Sequence, residues 1–518
     1  MRIDFKSSTS FPPRWRVDLA ERLEGFGHEV IFMGPAALAG RTAADNEPAS
    51  GSGLRILVML ERLLYGVAPP LRSDPVAWSG RLPESGQTHD LVIDFNGDAI
   101  EFAADAATLI PLYDGAPGEV TLMHALLDGR APLLAIGLRR PGDGGARLVA
   151  TALPALKEPR IFTLSLERVL SQMSELIVRT VKSFAAGRLD VEEPPVPGLP
   201  PLATPRVVGA GAFLAKTLRE KVAARLSRLV AHQDHWRIGW RWTIGDEIAS
   251  HLTLPAAPYS FLADDARRFY ADPFVLWRGG LAHVFCEEFP YATGKGVISV
   301  FTIERDGAAS QPRIVLEKPF HLSYPMVFER DGQVYMIPET SANRTVELYR
   351  ATRFPDQWVL ESTLLRDVSA SDATLLEQDG RLWLFAALAD GGGSDWDTLG
   401  IFHASRLTGP WAPHAANPVL VDAGSARPGG MMFKRDGALI RTAQDCREGY
   451  GSGLALCRVD RLDPENYAQS VLARLGPRPS WGANGLHTLN AACGLEVIDC
   501  AGRRLRPIRF GSEMPERH

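Results

Sequence analysis

The sequence predicts a two-part chain, an α/β half followed by an all-β half built as a five-bladed β-propeller. A repeat of strand–turn–strand units carries the second assignment, and an alternation of strand-type and helix-type patterns carries the first. The repeat opens with Asp272-Pro-Phe-Val, Tyr324-Pro-Met-Val, Asp372-Ala-Thr-Leu and Arg427-Pro-Gly-Gly. Each opening is followed by a glycine (Gly280, Gly332, Gly380, Gly437) and then a short apolar strand. A period of roughly 50 residues with this content is the signature of a propeller blade. A weaker fifth copy runs from His487-Thr-Leu-Asn to Gly494 and Leu495-Glu-Val-Ile. Asp331-Gly332, Asp379-Gly380 and Asp436-Gly437 read as hairpin turns.

In the first half, the short apolar runs 28–33, 54–59 and 91–95 read as strands, and 15–26, 120–127 and 164–184 as helices. The last of these places Leu166, Val169, Leu170, Met173, Leu176, Ile177 and Val181 at helical spacing. Such alternation predicts an open sheet covered by helices, here assigned to 1–188. Dense proline makes 189–206 an extended linker. Residues 207–234 follow as a basic amphipathic helix, and the propeller occupies 235–512. On that helix Leu214, Leu218, Val222, Leu226 and Leu229 share one side, with Lys216, Arg219, Lys221, Arg225 and Arg228 around them. The simpler expectation packs the helix on one domain with its basic face solvated. The alternative is peripheral contact with anionic lipid or an acidic partner.

At 518 residues the chain is too long for one ordinary core. Hydrophobic content of 45% and charged content of 23% fit a soluble globular protein. A net charge of −5 argues against nucleic acid as a partner. No apolar run approaches the roughly 20 residues of a transmembrane span, and the first residues lack the apolar core of a signal peptide. The expected compartment is the cytosol. Five cysteines without CxxC spacing are expected to be reduced and mostly buried.

The innermost strand of every blade lines one channel, so the polar residues that open the repeats should converge. Asp272 and Asp372 open matching strands, Glu339 ends a neighbouring one, and Asp445 lies on an otherwise apolar or basic strand. These four are the catalytic candidates. Tyr324, Arg427, Arg441, Gln444, Tyr450 and His487 are the substrate-binding candidates, with Trp396 as a further stacking ring. Chemistry at a sugar's anomeric carbon calls for one carboxyl to protonate the leaving oxygen and a second to act as base or nucleophile. Crowding of like charges keeps one of them protonated near neutrality. A plain structural reading stands beside each assignment, since Asp at a strand start also caps turns and a buried His is often a satisfied core residue. No residue cluster has convincing metal-ligand spacing, and no metal is assigned.

The ordered motifs Asp-Pro-Phe, Tyr-Pro-Met-Val to Tyr335-Met-Ile-Pro-Glu339, Asp-Ala-Thr-Leu, Arg-Pro-Gly-Gly to Gln444-Asp-Cys446, Tyr450-Gly451 and His-Thr-Leu-Asn resemble one domain family. It is the propeller found at the N-terminus of plant glucosamine inositolphosphorylceramide transferases, itself similar to family 43 glycosidases. The glycosidase likeness implies a first-blade general base at Asp272. Tyr324 stands where those enzymes carry a second acid, and their Glu acid has no matching place, so Glu339 or Asp372 would have to substitute. A fainter likeness covers Asp90-Leu-Val-Ile-Asp94, Thr108-Leu-Ile-Pro-Leu-Tyr-Asp-Gly115 and Ala125-Leu-Leu-Asp-Gly-Arg130. It resembles a formyltransferase domain, with Ala106-Ala-Thr-Leu where the catalytic Asn and His belong, which implies that fold without formyl chemistry.

The function expected is glycosyl transfer in glycolipid or surface-polysaccharide synthesis, with a carbohydrate or glycolipid substrate and a nucleotide-sugar donor as the one cofactor considered. Hydrolysis of oligosaccharides and a non-catalytic sugar-binding or scaffold role remain the alternatives.

Overall fold

The computed structural model describes residues 1–7, 11–33, 52–67, 71–78, 89–96, 106–143, 145–190, 208–389 and 394–506. The proline-rich stretch 191–206 and most of the 34–53 segment lie outside them. The chain separates into two compact units, Met1–Glu220 and a second that begins at Lys221.

The first unit is α/β with a mixed sheet. Its strands are β1 (Arg2–Lys6), β2 (Glu29–Met33), β3 (Leu91–Asp94), β4 (Ala107–Tyr113), β5 (Ala116–Pro117), β6 (Leu134–Arg139) and β7 (Arg147–Ala152). The order is β2-β1-β3-β4-β6-β7, with β5 paired to β4. β1 to β4 run parallel, whereas β6 and β7 are antiparallel additions. The helices are α1 (Arg14–Gly25), α2 (Ser52–Tyr65), α3 (Val120–Asp128) and α4 (Phe162–Ala185). Residues 54–59, read from the sequence as a strand, are helical within α2. Leu57 and Glu61, one turn apart, are buried while Ile56, Met59, Leu63 and Leu64 face out. That is helical rather than alternating burial. Glu61 fixes the pairing, because its carboxylate accepts the Phe162 and Thr163 N–H groups at 2.9 and 2.7 Å. These are among the orphan donors at the start of α4. α5 (Ala210–Val230) follows the undescribed linker.

The second unit is a five-bladed propeller. β8 (Ala231–Trp242), the short helix α6 (Ile248–His251) and β9 (Ser260–Phe261) come first in the chain. Blade one is β10 (Arg268–Arg278), β11 (Leu281–Pro290), β12 (Val297–Ile303) and β13 (Arg313–Leu316). Blade two is β14 (Ser323–Arg330), β15 (Gln333–Thr340), β16 (Thr345–Arg353) and β17 (Gln357–Arg366). Blade three is β18 (Ala370–Gln378), β19 (Arg381–Leu388), β20 (Thr398–Ala404), β21 (Ala412–Pro413) and β22 (Leu420–Val421). Blade four is β23 (Phe433–Arg435), β24 (Ala438–Asp445), β25 (Gly453–Leu462) and β26 (Tyr467–Leu475). The last blade combines β27 (Ala483–Gly485), β28 (Leu489–Ala492) and β29 (Leu495–Leu505) with β8 and β9. β8 pairs with β29 from Trp242↔Leu495 to Ala231↔Leu505, so the two ends of the propeller sequence close the ring. Between blades the filling is apolar: Phe274 and Phe285 of the first pack with Met326 and Met336 of the second. The Arg427-Pro-Gly-Gly turn lets blade four abut the last blade, since a Cβ on Gly429 would stand 2.9 Å from the His487 carbonyl oxygen.

Candidate functional site

Each of the first three blades opens with a residue in the left-handed region: Asp272 (φ 52°), Tyr324 (φ 44°) and Asp372 (φ 55°). The ladder to the second strand skips at the same place, between Ala271/Phe274, Ser323/Met326 and Ser371/Thr374. These are β-bulges, which re-aim backbone and side chain next to a site. A non-glycine residue held there costs about 1 kcal/mol or more. The cost is offset because every flipped N–H finds an acid. Asp272 N donates to Asp499 Oδ2 at 2.8 Å, Tyr324 N to Asp272 Oδ2 at 3.2 Å, and Asp372 N to Glu339 Oε2 at 3.2 Å.

Two polar clusters result. In the first, Asp272 Oδ1 accepts the Thr488 hydroxyl at 3.0 Å and lies 3.4 Å from His487 Nε2. His487 Nδ1 is 2.7 Å from Asp499 Oδ2, so the ring bridges two buried carboxylates. Burial alone would lower the His487 pKa, but Asp499 and Asp272 outweigh it and the pKa is raised. Burial pushes Asp272 upward against the pull of His487. Asp272, His487 and Asp499 each offer an atom within 4.8 Å of the others, a separation that a metal ion could span. Asp499 already accepts the N–H groups of Asp272, His487 and Thr488, so the trio serves first as an internal hydrogen-bonded brace.

In the second cluster, Arg427 Nε donates to Asp372 Oδ2 at 2.6 Å, and Gln444 Nε2 to the same oxygen at 2.8 Å. Arg427 Nη1 reaches Asp395 Oδ2 at 3.1 Å, and Nη2 is 3.9 Å from Glu339 Oε2. Burial pushes Asp372 well above the ordinary carboxylate range; Arg427 opposes the shift, while Glu339 and Asp272 add to it. An aromatic run joins the clusters. Trp236 stacks on His487 with centroids 3.8 Å apart, Tyr450 meets His487 edge-on at 5.4 Å, and Trp396 lies 5.6 Å from Tyr450. The Arg427 guanidinium sits 5.0 Å over the Tyr450 ring, which is partly open to solvent. A sugar offers apolar C–H faces to such rings and hydroxyls to such carboxyls.

Of the sequence candidates, the structure brings together Asp272, Glu339, Asp372, Tyr324, Arg427, Gln444, Tyr450 and His487. Tyr324 is fully buried: its hydroxyl is 2.9 Å from Thr374 Oγ1 and accepts the Gly430 N–H at 2.7 Å. It braces the funnel wall rather than facing a ligand. Two candidates lie elsewhere. Asp445 is held by Arg447 Nη2 at 2.7 Å and Arg474 Nη1 at 3.0 Å, and although burial works against them, the arginines lower its pKa. Arg441 is spent on the carbonyl groups of Ser425 and Ala426 and on Gln469. Cys446 is buried, and burial pushes its thiol up to about 12, which disfavours the thiolate form. Sequence reasoning missed Thr488, the residue after His487 in the fifth opening, and also Glu287, Asp395, Asp499 and Trp236, which stand outside the repeat openings.

Residues 257–489 match the family model described as glucosamine inositolphosphorylceramide transferase 1, N-terminal. The glucosamine inositolphosphorylceramide transferase 1 of Oryza sativa subsp. japonica is 35% identical over 233 residues, covering 43% of this chain and 31% of that protein. Its counterpart in Arabidopsis thaliana is 35% identical over 205 residues, covering 39% and 27% respectively. This chain therefore spans less than a third of the length of these curated relatives. Among solved structures, the GH43 protein BlXynB of Bacillus licheniformis is similar at 19% identity over 40% of this chain and 44% of that one, with a TM-score of 0.31. The propeller resemblance read from the motifs thus holds over the matched residues, while the formyltransferase likeness of the first unit rests on sequence alone.

Proposed function

We propose that the propeller funnel is a carbohydrate site and that the chain takes part in glycosyl transfer during glycolipid or surface-polysaccharide synthesis. One observation carries this reading: Glu339, Asp372 and Arg427, from three blades, meet in a single network beside the Tyr450 ring. Carboxyls that share a desolvated space hold a proton near neutrality, as chemistry at an anomeric carbon requires. The similarity to transferases named for an inositolphosphorylceramide substrate supports a glycolipid setting. The exposed leucine stripe and basic flank of α5 support peripheral contact with an anionic lipid surface.

The test incubates the full chain with a panel of nucleotide sugars and glycosides, with and without lipid acceptors, and follows label transfer. Turnover that Glu339→Gln and Asp372→Asn abolish is the expected result. Turnover that both variants leave intact removes the funnel assignment, and no sugar binding at all removes the reading. Hydrolysis of oligosaccharides is the second reading. It is favoured by the surplus of acids over cations in the funnel, a poor berth for a nucleotide diphosphate. Release of reducing sugar without any acceptor would select it.

A further inference from the structure

The second strands of three successive blades each carry an acid that reaches toward the following blade: Asp499 on β29, Glu287 on β11 and Glu339 on β15. Asp499 caps the N–H of Asp272, and Glu339 caps that of Asp372. Glu287 caps nothing, because the matching donor, Tyr324 N, is taken by Asp272. Its chain neighbour Glu288 points to the other face of the strand, where Ser299 Oγ at 2.6 Å and Arg268 Nη1 at 2.5 Å hold it. Glu287 is therefore the acid left over in the funnel wall, 6% exposed.

Among the described residues its one close polar neighbour is His321, whose Nε2 lies 3.3 Å from Oε1. The tautomer is fixed from behind. His321 Nδ1 accepts the Gly296 N–H at 3.0 Å, so the neutral ring carries its proton on Nε2, facing the carboxyl. Gly296 keeps the two close: a Cβ there would come within 2.7 Å of both Glu287 Oε1 and His321 Cε1. The outer side of His321 is open to solvent, with 37% of the side chain exposed. Glu287 pairs across the ladder with Ala271, next to the Asp272 bulge, and Asp272, Glu339, Asp499 and Asp372 all act on it electrostatically. Burial, reinforced by those four acids, holds the Glu287 carboxyl well above its ordinary range.

We propose that Glu287 is the proton donor of the funnel and that His321, through its Nε2–H, holds the carboxyl in place. The inference rests on the funnel being a sugar-processing site, and it specifies the donor. In the step, the bond between the anomeric carbon and the leaving oxygen breaks, and that oxygen keeps the bonding pair and takes the Glu287 proton. An acceptor hydroxyl oxygen bonds to the carbon, and its proton passes to the Asp272 carboxylate. Solvent then takes that proton and returns one to the Glu287 carboxylate. A leaving group that needs this help is a sugar or lipid alkoxide; a nucleotide diphosphate departs without it. The donor class is therefore a glycoside.

The experiment compares methyl and nitrophenyl glycosides of one sugar with the wild-type chain and Glu287→Gln. The variant is expected to lose roughly 100-fold or more on the methyl glycoside and little on the nitrophenyl one, whose leaving group needs no proton. Equal loss on both donors, or none on either, overturns the assignment. A wild type that processes nucleotide sugars but no glycoside overturns it while leaving the sugar site standing; a wild type that processes neither overturns both. Infrared spectroscopy is independent of turnover and of how the variant folds. The wild type should show a protonated-carboxyl band near neutral pH, and its absence also overturns the proposal.

Discussion

Arg427 and Asp372 stand 55 positions apart in the chain and 2.6 Å apart in the funnel, from Nε to Oδ2, with both side chains almost entirely buried. Removing water from two charges is costly, and the pair is tolerated because Gln444 and Asp395 complete the hydrogen bonding around it. Arg427→Met strips Asp372 of its partner beside Glu339 and Asp272, and should destabilise the chain by about 3–5 kcal/mol. Denaturant unfolding reads this out. Adding Asp372→Asn should recover part of the loss, because it removes the stranded charge. A double variant no more stable than Arg427→Met would show that the arginine acts through packing.

Asp445 should behave as a fastener and not as a catalyst. Asp445→Asn is expected to leave sugar turnover unchanged and to cost about 1–3 kcal/mol through its charged hydrogen bonds to Arg447 and Arg474. Its folded pKa is lowered, so its stabilisation is present above the ordinary value of 3.8 and lost as pH falls through the folded value. The wild type and the variant should converge in acid unfolding curves. A large loss of turnover in a folded variant would return Asp445 to the site.

The blade openings were legible because a bulge residue recurs once per repeat, with an aspartate at two of those positions. The misplacement of Arg441 and Asp445 was also decidable, through the pleat. Successive strand side chains alternate faces, so on β24 residues 441 and 445 share one face and Gln444 takes the other. Gln444 reaches Asp372; its two neighbours in the candidate set point away. Glu287 and Asp499 could not be found this way. Each sits within a second strand, and their roles depend on which N–H of the next blade is already occupied. Leu54 to Met59 misled because a run of apolar residues fits either period, and the buried carboxylate of Glu61 at the start of α4 decided for the helix.

His487 gives the stability a definite pH sign. Its folded pKa is raised above 6.5, so the bridge between Asp499 and Asp272 contributes fully below that value and is lost as pH rises through the folded pKa. Stability should fall on the alkaline side by up to about 1.4 kcal/mol per pH unit for this one proton. His487→Gln should flatten that part of the curve, measured by denaturant unfolding at several pH values. An unchanged slope would mean that the ring is neutral between the two acids.

α5 turns its leucines outward. Leu214, Leu218, Val222, Leu226 and Leu229 are all exposed, with Leu218 at 63% and Leu229 at 71%, while Phe213 and Thr217 are its buried contacts. At 100° per residue the stripe lies opposite that buried side, and Lys221, Arg225 and Arg228 run along its edge. An apolar face rimmed by cations suits the boundary of an anionic bilayer, where each Lys or Arg contributes about 1 kcal/mol. The chain should float with vesicles containing anionic lipid and dissociate as salt rises, since screening weakens that term. Leu218→Glu with Leu226→Glu should abolish flotation and leave turnover of a soluble glycoside intact, because neither residue belongs to the funnel. Flotation equal on neutral vesicles, or unaffected by the double substitution, would show that this face has another use.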